Sequence, residues 1–378
     1  MLKFIKVLAM VVLVATSAVG QVVLQSQAEA LSAPAKFGWS VSGIGDLNHD
    51  GTNDYIVGSP YATIGGQRFA GKAVVYSGAG GGILFEPSGL SISECVGYGV
   101  GGGDGLFLVS TQTKTRVYND AGNLVWTKAG IGPCGSLGDV NGDGSTDFYT
   151  SQRVLVSYFY GTIKLYQYQY FVVVYSGAGA APELYRKSGI VAAGLGDLNA
   201  DGKDEFIIGD KYAQPTGQGT AIVYNGVNGL PLYSKAGSAQ RDAFGCSVAN
   251  ARDCNGDGVN DFVVGSTGFK TSSGAGYLYS GASGALLCQV IGPLYTQWGF
   301  SVSAAGNGHF AVGSLMNGSA LTPGAVHIFD ASGTFLQVLS GVVDGDNFGT
   351  SVDFIDPEII VGAPNAGAIR AGIAYLYR

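Results

Sequence analysis

A short strand that ends in an aromatic residue and a turn recurs seven times in 378 residues, and no other feature constrains the fold so tightly. The copies are Val74-Val75-Tyr76, Arg116-Val117-Tyr118, Val173-Val174-Tyr175, Ile222-Val223-Tyr224, Tyr277-Leu278-Tyr279, His327-Ile328-Phe329 and Tyr375-Leu376-Tyr377. Their terminal aromatic residues, from 76 to 377, span 301 residues, a mean step of about 50. Other pieces keep a fixed order around them. A Phe-Gly or Trp-Gly pair opens four of the units (Phe37-Gly38, Phe244-Gly245, Trp298-Gly299, Phe348-Gly349). A second strand ends in Val/Ile-Gly (Val57-Gly58, Ile208-Gly209, Val264-Gly265, Val361-Gly362). A fourth follows the turn, as in Leu124-Val125-Trp126 and Leu232-Tyr233-Ser234. Four short strands per unit at even spacing predict an all-β, seven-bladed β-propeller with four-stranded antiparallel blades.

The seventh unit ends at Arg378 without a fourth strand, while Gln21-Val22-Val23-Leu24-Gln25-Ser26 resembles the fourth strand Phe335-Leu336-Gln337-Val338-Leu339-Ser340. The first strand of the mature chain is therefore expected to complete the last blade and close the ring, removing an exposed sheet edge. Ahead of it, Met1 to Lys6 carries two lysines, Val7 to Val14 is apolar, and Ala18-Val19-Gly20 has the small-x-small form of a cleavage site. Residues 1–20 read as a secretory signal peptide and 21–378 as the propeller, a secreted or cell-surface protein with no membrane span after cleavage. The apolar run is short for a spanning helix, which needs roughly 20 residues. The chain is read as a monomer.

Between the first and second strands of blades 1, 3, 4 and 5 lies a nine-residue pattern, DxNxDGxx(D/E). Its oxygen donors sit at positions 1, 3, 5, 7 and 9. They are Asp46, Asn48, Asp50, Thr52 and Asp54 in blade 1, and Asp139, Asn141, Asp143, Ser145 and Asp147 in blade 3. Blade 4 supplies Asp197, Asn199, Asp201, Lys203 and Glu205, and blade 5 supplies Asp253, Asn255, Asp257, Val259 and Asp261. Calcium takes 6–8 oxygen ligands. Alternate side chains at positions 1, 3 and 5 can face one centre, and glycine at position 6 permits the left-handed backbone that folds the loop back. The position-7 residue would contribute its carbonyl and position 9 would close the cage. Asp/Asn/Gly clusters also make plain turns, but 13 of the chain's 27 acidic residues lie in these four loops. Without Lys3 and Lys6 the formal charge of −7 becomes −9, which four Ca²⁺ would bring to −1. The cofactor expectation is thus about four calcium ions. Blades without the pattern also lack the length: Val302 to Phe310 takes 8 residues where Val41 to Tyr55 takes 14.

The Phe-Gly openings, the DxNxDGxxD loops and the strand ends Gly58-Ser59-Pro60 and Gly362-Ala363-Pro364 resemble the FG-GAP repeats of the integrin α-subunit propeller and its bacterial relatives. The resemblance covers essentially all of the mature chain. It implies a seven-bladed propeller with calcium between first and second strands and ligands on the opposite face. Blade 2 departs from it, and Glu205 stands where the family usually has Asp, one methylene longer.

No catalytic constellation is present. His49, His309 and His327 have ordinary positions in a loop, before a strand and within a strand, and no GxSxG or HExxH motif occurs. No basic patch suggests nucleic acid. Of the five cysteines, Cys254 replaces Leu47, Val140 and Leu198 and reads as a core residue, and a Cys246–Cys254 bridge is left open. The function expected is a calcium-stabilised binding or adhesion module for an extracellular protein or glycan. The alternatives are a lectin-type propeller holding glycans between blades and a polysaccharide- or lipid-acting enzyme. Blade 3 carries extra chain between its second and third strands, roughly 151 to 171. There the alternation places Tyr166, Tyr168 and Tyr170 on one side of an extended strand, opposite Gln167 and Gln169. These tyrosines are the candidate ligand contacts, on a hairpin that either rises from the propeller, or packs onto a neighbouring blade or merely lengthens two strands.

Overall fold

Each aromatic-ended strand lies third in a four-stranded antiparallel sheet, and there are seven such sheets. The architecture is the seven-bladed propeller expected. It is seen in a computed structural model that describes residues 21–24, 35–160, 163–213, 217–315, 323–367 and 370–378. Residues 1–20, on which the signal-peptide reading falls, lie outside the described residues, as do Gln25 and Ser26.

The strands of a blade differ in burial because blades pack face to face. Second strands such as Asp54–Ser59 and Asp261–Ser266 are buried along their whole length. They therefore read as continuous apolar runs instead of alternating ones. Fourth strands such as Leu124–Ala129 lie at the rim and are exposed or half-buried. Among the described residues the core divides into seven clusters, each shared by two adjacent blades. In one, Leu195, Ile207 and Val223 of blade 4 meet Phe244, Phe262 and Val264 of blade 5. Burial of side chains this size contributes roughly 1.5–3 kcal/mol each, so the blade interfaces carry most of the apolar stabilisation.

Ring closure follows the sequence expectation. Gln21–Leu24 pairs antiparallel with Ile373–Tyr377, Gln21 opposite Tyr377 and Leu24 opposite Ala374. Blades 1 and 7 are also joined through a cluster containing Phe37, Tyr55, Val57, Ile360 and Leu376. At the axis, the Asp353 carboxylate of blade 7 accepts hydrogen bonds from Gly43 N (2.9 Å) and Ser42 Oγ (3.2 Å) of blade 1. It also accepts one from Ser303 Oγ (2.8 Å) of blade 6.

Antiparallel order puts the first-to-second and third-to-fourth connections on one face of the ring, and the second-to-third connections on the other. The Asp/Asn/Gly loops and the tyrosine-bearing hairpin of blade 3 therefore stand on opposite faces. All five cysteines are free thiols. Cys246 donates to Gly299 O and Cys254 to Ala251 O, and Cys254 packs partly buried against the blade 5–6 cluster.

Candidate metal-binding loops and the tyrosine hairpin

The four loops share one hydrogen-bond scheme. In blade 1 the Asp46 carboxylate accepts the N–H groups of Asp50 (3.0 Å) and Gly51 (2.8 Å). Asn48 Oδ1 accepts the same Asp50 N–H (3.0 Å), and Asp50 Oδ1 accepts Thr52 N–H (3.0 Å). Side-chain oxygens from positions 1 and 3 thus converge on one point. The pattern repeats at Asp139 and Asn141 on Asp143 N, at Asp197 and Asn199 on Asp201 N, and at Asp253 and Asn255 on Asp257 N. The position-6 glycines have the expected left-handed backbone, with φ of 89° at Gly51, 82° at Gly144, 81° at Gly202 and 86° at Gly258. A Cβ there would meet nothing within 4 Å, so the requirement is conformational and not one of space.

Position 9 differs from the other acids. Asp54, Asp147, Glu205 and Asp261 are completely buried, whereas Asp50, Asp143, Asp201 and Asp257 are exposed. Their oxygens face backbone amides. Asp54 accepts from Leu47 N (2.9 Å), Asn48 N (3.2 Å) and Gly78 N (3.0 Å). Burial raises the pKa of Asp54, Glu205 and Asp261, and pushes Asp147 up to about 6, despite the amide donors. The neighbouring carboxylates add to the effect: Asp50 raises Asp54, and Asp143 and Asp139 raise Asp147. A cation between them would relieve both this repulsion and the cost of burying the charge.

The structure does not gather the acids of a loop into one ligand cluster. Among the described residues, no three His, Cys, Asp or Glu side chains stand together as metal holders. The physical reason is that position 9 is engaged by amides, while position 3 is an asparagine whose amide reaches an acid: Asn48 Nδ2 donates to Asp50 Oδ2 at 2.8 Å, and Asn199 Nδ2 to Glu205 Oε1 at 3.0 Å. The donor set is nonetheless all oxygen, hard and anionic. It fits a hard divalent ion such as calcium and not a soft one.

Two parts of the loop were missed by reading the sequence. Position 4 is also left-handed, with φ of 60° at His49, 76° at Gly142, 59° at Ala200 and 79° at Gly256. Its variable side chains concealed this. The second is a clamp from the third strand. Ser77 Oγ donates to Asp50 Oδ2 (3.0 Å) and Ser176 Oγ to Asp143 Oδ2 (2.9 Å), while Asn225 Nδ2 reaches Asp201 Oδ2 (3.3 Å). The next residue, always glycine, offers its N–H to position 9: Gly78, Gly177, Gly226 and Gly281. Only glycine fits, since a Cβ at these four positions would lie 2.1, 2.0, 2.5 and 1.8 Å from the position-8 carbonyl oxygen. The signal was there to find. Loop-bearing blades read Tyr-Ser/Asn-Gly, whereas blades 2 and 6 read Tyr118-Asn119-Asp120 and Phe329-Asp330-Ala331.

On the opposite face, the extra chain of blade 3 lengthens two strands into a ribbon, Asp147–Tyr160 and Ile163–Tyr175, paired from Phe148↔Tyr175 out to Tyr160↔Ile163. Residues 161–162 lie outside the described residues. Tyr166, Tyr168 and Tyr170 share one side, opposite Ser157, Leu155 and Arg153. Tyr166 is 63% exposed and Tyr168 47%. Tyr170 instead packs on Tyr212 of blade 4, ring centroids 5.5 Å apart. Each expectation for the hairpin holds in part: it lengthens two strands, the inner tyrosine docks on a neighbour and the outer two project.

The fold is a seven-bladed β-propeller, and its Phe-Gly openings and loops are similar to those of FG-GAP repeats. The FG-GAP repeat family matches residues 37–76 and 244–279, the opening through the third strand of blades 1 and 5. Integrin alpha-5 of Xenopus laevis is 24% identical over 252 residues, covering 62% of this chain and 20% of that protein. Integrin alpha-V of Gallus gallus is 28% identical over 183 residues, covering 48% of this chain and 14% of its own length. Integrin alpha-PS5 of Drosophila melanogaster is 43% identical over 58 residues, 15% of this chain and 5% of that one. The chain thus spans a fifth or less of the length of these integrin relatives. Among the described residues no helix is long and apolar enough to cross a membrane.

Proposed function

We propose that the protein is a secreted, calcium-stabilised propeller that serves as a binding or adhesion module for an extracellular protein or glycan. Residues 1–20 act as the cleaved export signal, and the mature propeller works as a monomer. Up to four calcium ions sit in the loops of blades 1, 3, 4 and 5, and the ligand docks on the opposite face, where the blade 3 ribbon stands. One observation supports this reading above the others. The same loop, with its buried position-9 acid held by the glycine N–H of a Tyr-Ser/Asn-Gly turn, is built four times on one face and omitted whole elsewhere.

An ion that binds only the folded state stabilises it by mass action, about 2.7 kcal/mol per site at a hundredfold excess over Kd. Calorimetry of the protein in millimolar calcium and in chelator tests the metal half of the reading. Melting should rise with calcium, and Asp257→Ala should remove one binding equivalent by titration. Identical melting temperatures in the two buffers reject it.

A further inference from the structure

The tyrosine ribbon of blade 3 differs from the rest of the molecule in charge as well as shape. The chain carries 27 acidic residues and a net charge of −7, yet no Asp or Glu occurs between Asp147 and Glu183. Seven of its 21 tyrosines lie between 148 and 175. On the tyrosine side of the ribbon, cations lie over the rings. The Arg153 guanidinium is 4.3 Å from the Tyr168 ring centroid, and Lys164 Nζ is 5.5 Å from that of Tyr166. Blade 4 continues the row, with Lys211 Nζ 5.2 Å from the ring of Tyr212, which itself packs on Tyr170. Asp210, beside Lys211, accepts the N–H of Tyr212 at 3.0 Å, and Glu183, opposite Tyr175 at the base of the ribbon, is paired with Arg186.

We infer that this row, Tyr166, Tyr168, Tyr170 and Tyr212 with Arg153, Lys164 and Lys211, is a binding surface for an acidic polysaccharide. The inference deepens the proposed function by naming its ligand class. Three properties of the surface support it. Alternate residues of a strand stand about 6.6–6.8 Å apart, so the tyrosines leave the backbone at regular intervals along one side, a spacing suited to a repeating polymer. Phenol rings offer an apolar face for a sugar ring and a hydroxyl for its polar edge. The interleaved cations supply what a carboxylate or sulfate on each repeat requires, in a protein otherwise acidic. A protein partner would instead seek recesses for its anchoring side chains, and the ribbon is exposed at Leu155, Tyr166 and Tyr168.

Affinity electrophoresis of the intact protein tests the assignment, with chondroitin sulfate, hyaluronan or neutral dextran cast in the gel. The acidic polymers should retard it and dextran should not, and raising NaCl to about 0.3 M should release it. Tyr166→Ser with Tyr168→Ser, or Arg153→Gln with Lys164→Gln, should each weaken binding about tenfold. Tyr168→Phe should keep it. All variants should retain the melting temperature and its rise with calcium, because the side chains are exposed and on the face away from the loops. Failure of both acidic polymers to retard the protein, equal retardation by dextran, or undiminished binding by the Tyr→Ser pair overturns the inference. So does capture of a protein ligand by the ribbon without any acidic glycan. Loss of the calcium-linked melting shift in the wild type instead rejects the metal reading and leaves this one standing.

Discussion

The Ser77 hydroxyl donates a 3.0 Å hydrogen bond to the Asp50 carboxylate, tying the turn after the third strand of blade 1 to the loop after its first. Beside it, Gly78 brings its backbone against Asn53 O and gives its N–H to the buried Asp54. Loop and turn are therefore one unit, and disturbing either should be felt by the other.

Gly78→Ala places a Cβ 2.1 Å from Asn53 O, a backbone contact that cannot yield by rotating a side chain. The substitution should destabilise the protein by about 1–3 kcal/mol and weaken calcium binding in blade 1 alone. Ser77→Ala removes a hydrogen bond without a clash and should cost about 1 kcal/mol. Thermal melts of both variants, with calcium titrations, check the order.

His327 should make the protein sensitive to mild acid. Burial holds its pKa down at about 4, and among the described residues its Nδ1 has no hydrogen-bond partner. Its ring packs on Trp298 at 4.2 Å and near Phe335, and its strand partners are Val312 and Val338, so its described surroundings are aromatic and aliphatic. A depressed histidine pKa stabilises the fold above its unfolded value near 6.5, and that contribution is lost as pH falls toward 4. The loss amounts to about 3 kcal/mol. His327→Leu should therefore gain on the wild type in melts at pH 4.5 compared with pH 7. A constant difference between the two proteins at both pH values would exclude the effect.

Asp353 joins blades 1, 6 and 7 at the axis. Asp353→Ala strands Gly43 N–H and the Ser303 hydroxyl, while Ser42 keeps Gly43 O as its acceptor, costing about 1–3 kcal/mol. Burial raises this carboxyl's pKa, so its contribution is greatest in acid and declines as pH rises through the folded value. Asp353→Asn should accordingly cost less than Asp353→Ala, and its deficit against wild type should shrink from acid to neutral pH in denaturant titrations.

Deleting Gln21–Leu24 exposes the edge of Ile373–Tyr377. The shortened protein should associate, eluting early in size-exclusion chromatography while the full-length mature protein elutes as a monomer. A truncated protein that stays monomeric with unchanged melting temperature would show that the closing strand contributes nothing.

The blade count, the closing strand and the left-handed loop glycines were legible because each rests on local pattern: the aromatic step, the missing fourth strand at the C-terminus and the DG pair. The parts that stayed hidden depend on neighbours distant in sequence. Asp54 accepting Gly78 N–H and Tyr170 packing on Tyr212 both need the tertiary arrangement. The Tyr-Ser/Asn-Gly clamp lay between these cases, visible once the repeats are aligned but meaningless until the position-8 carbonyl is seen against the glycine. His327 looked ordinary within its strand, and only its burial against Trp298 makes it a titrating group of interest.

The strand exchange between Gln21–Leu24 and Ile373–Tyr377 makes the position of the chain break a matter of topology instead of architecture. A circular permutant that joins the native ends through a short Gly/Ser linker and opens at a rim turn, such as the one before the strand Pro231–Ala236, would have the same seven blades and the same interfaces. What it would change is the order of assembly. In the native order the seventh blade must wait for the last strand to be synthesised, the slowest kind of contact for a chain to find. In the permutant that blade becomes local, and the waiting falls to another.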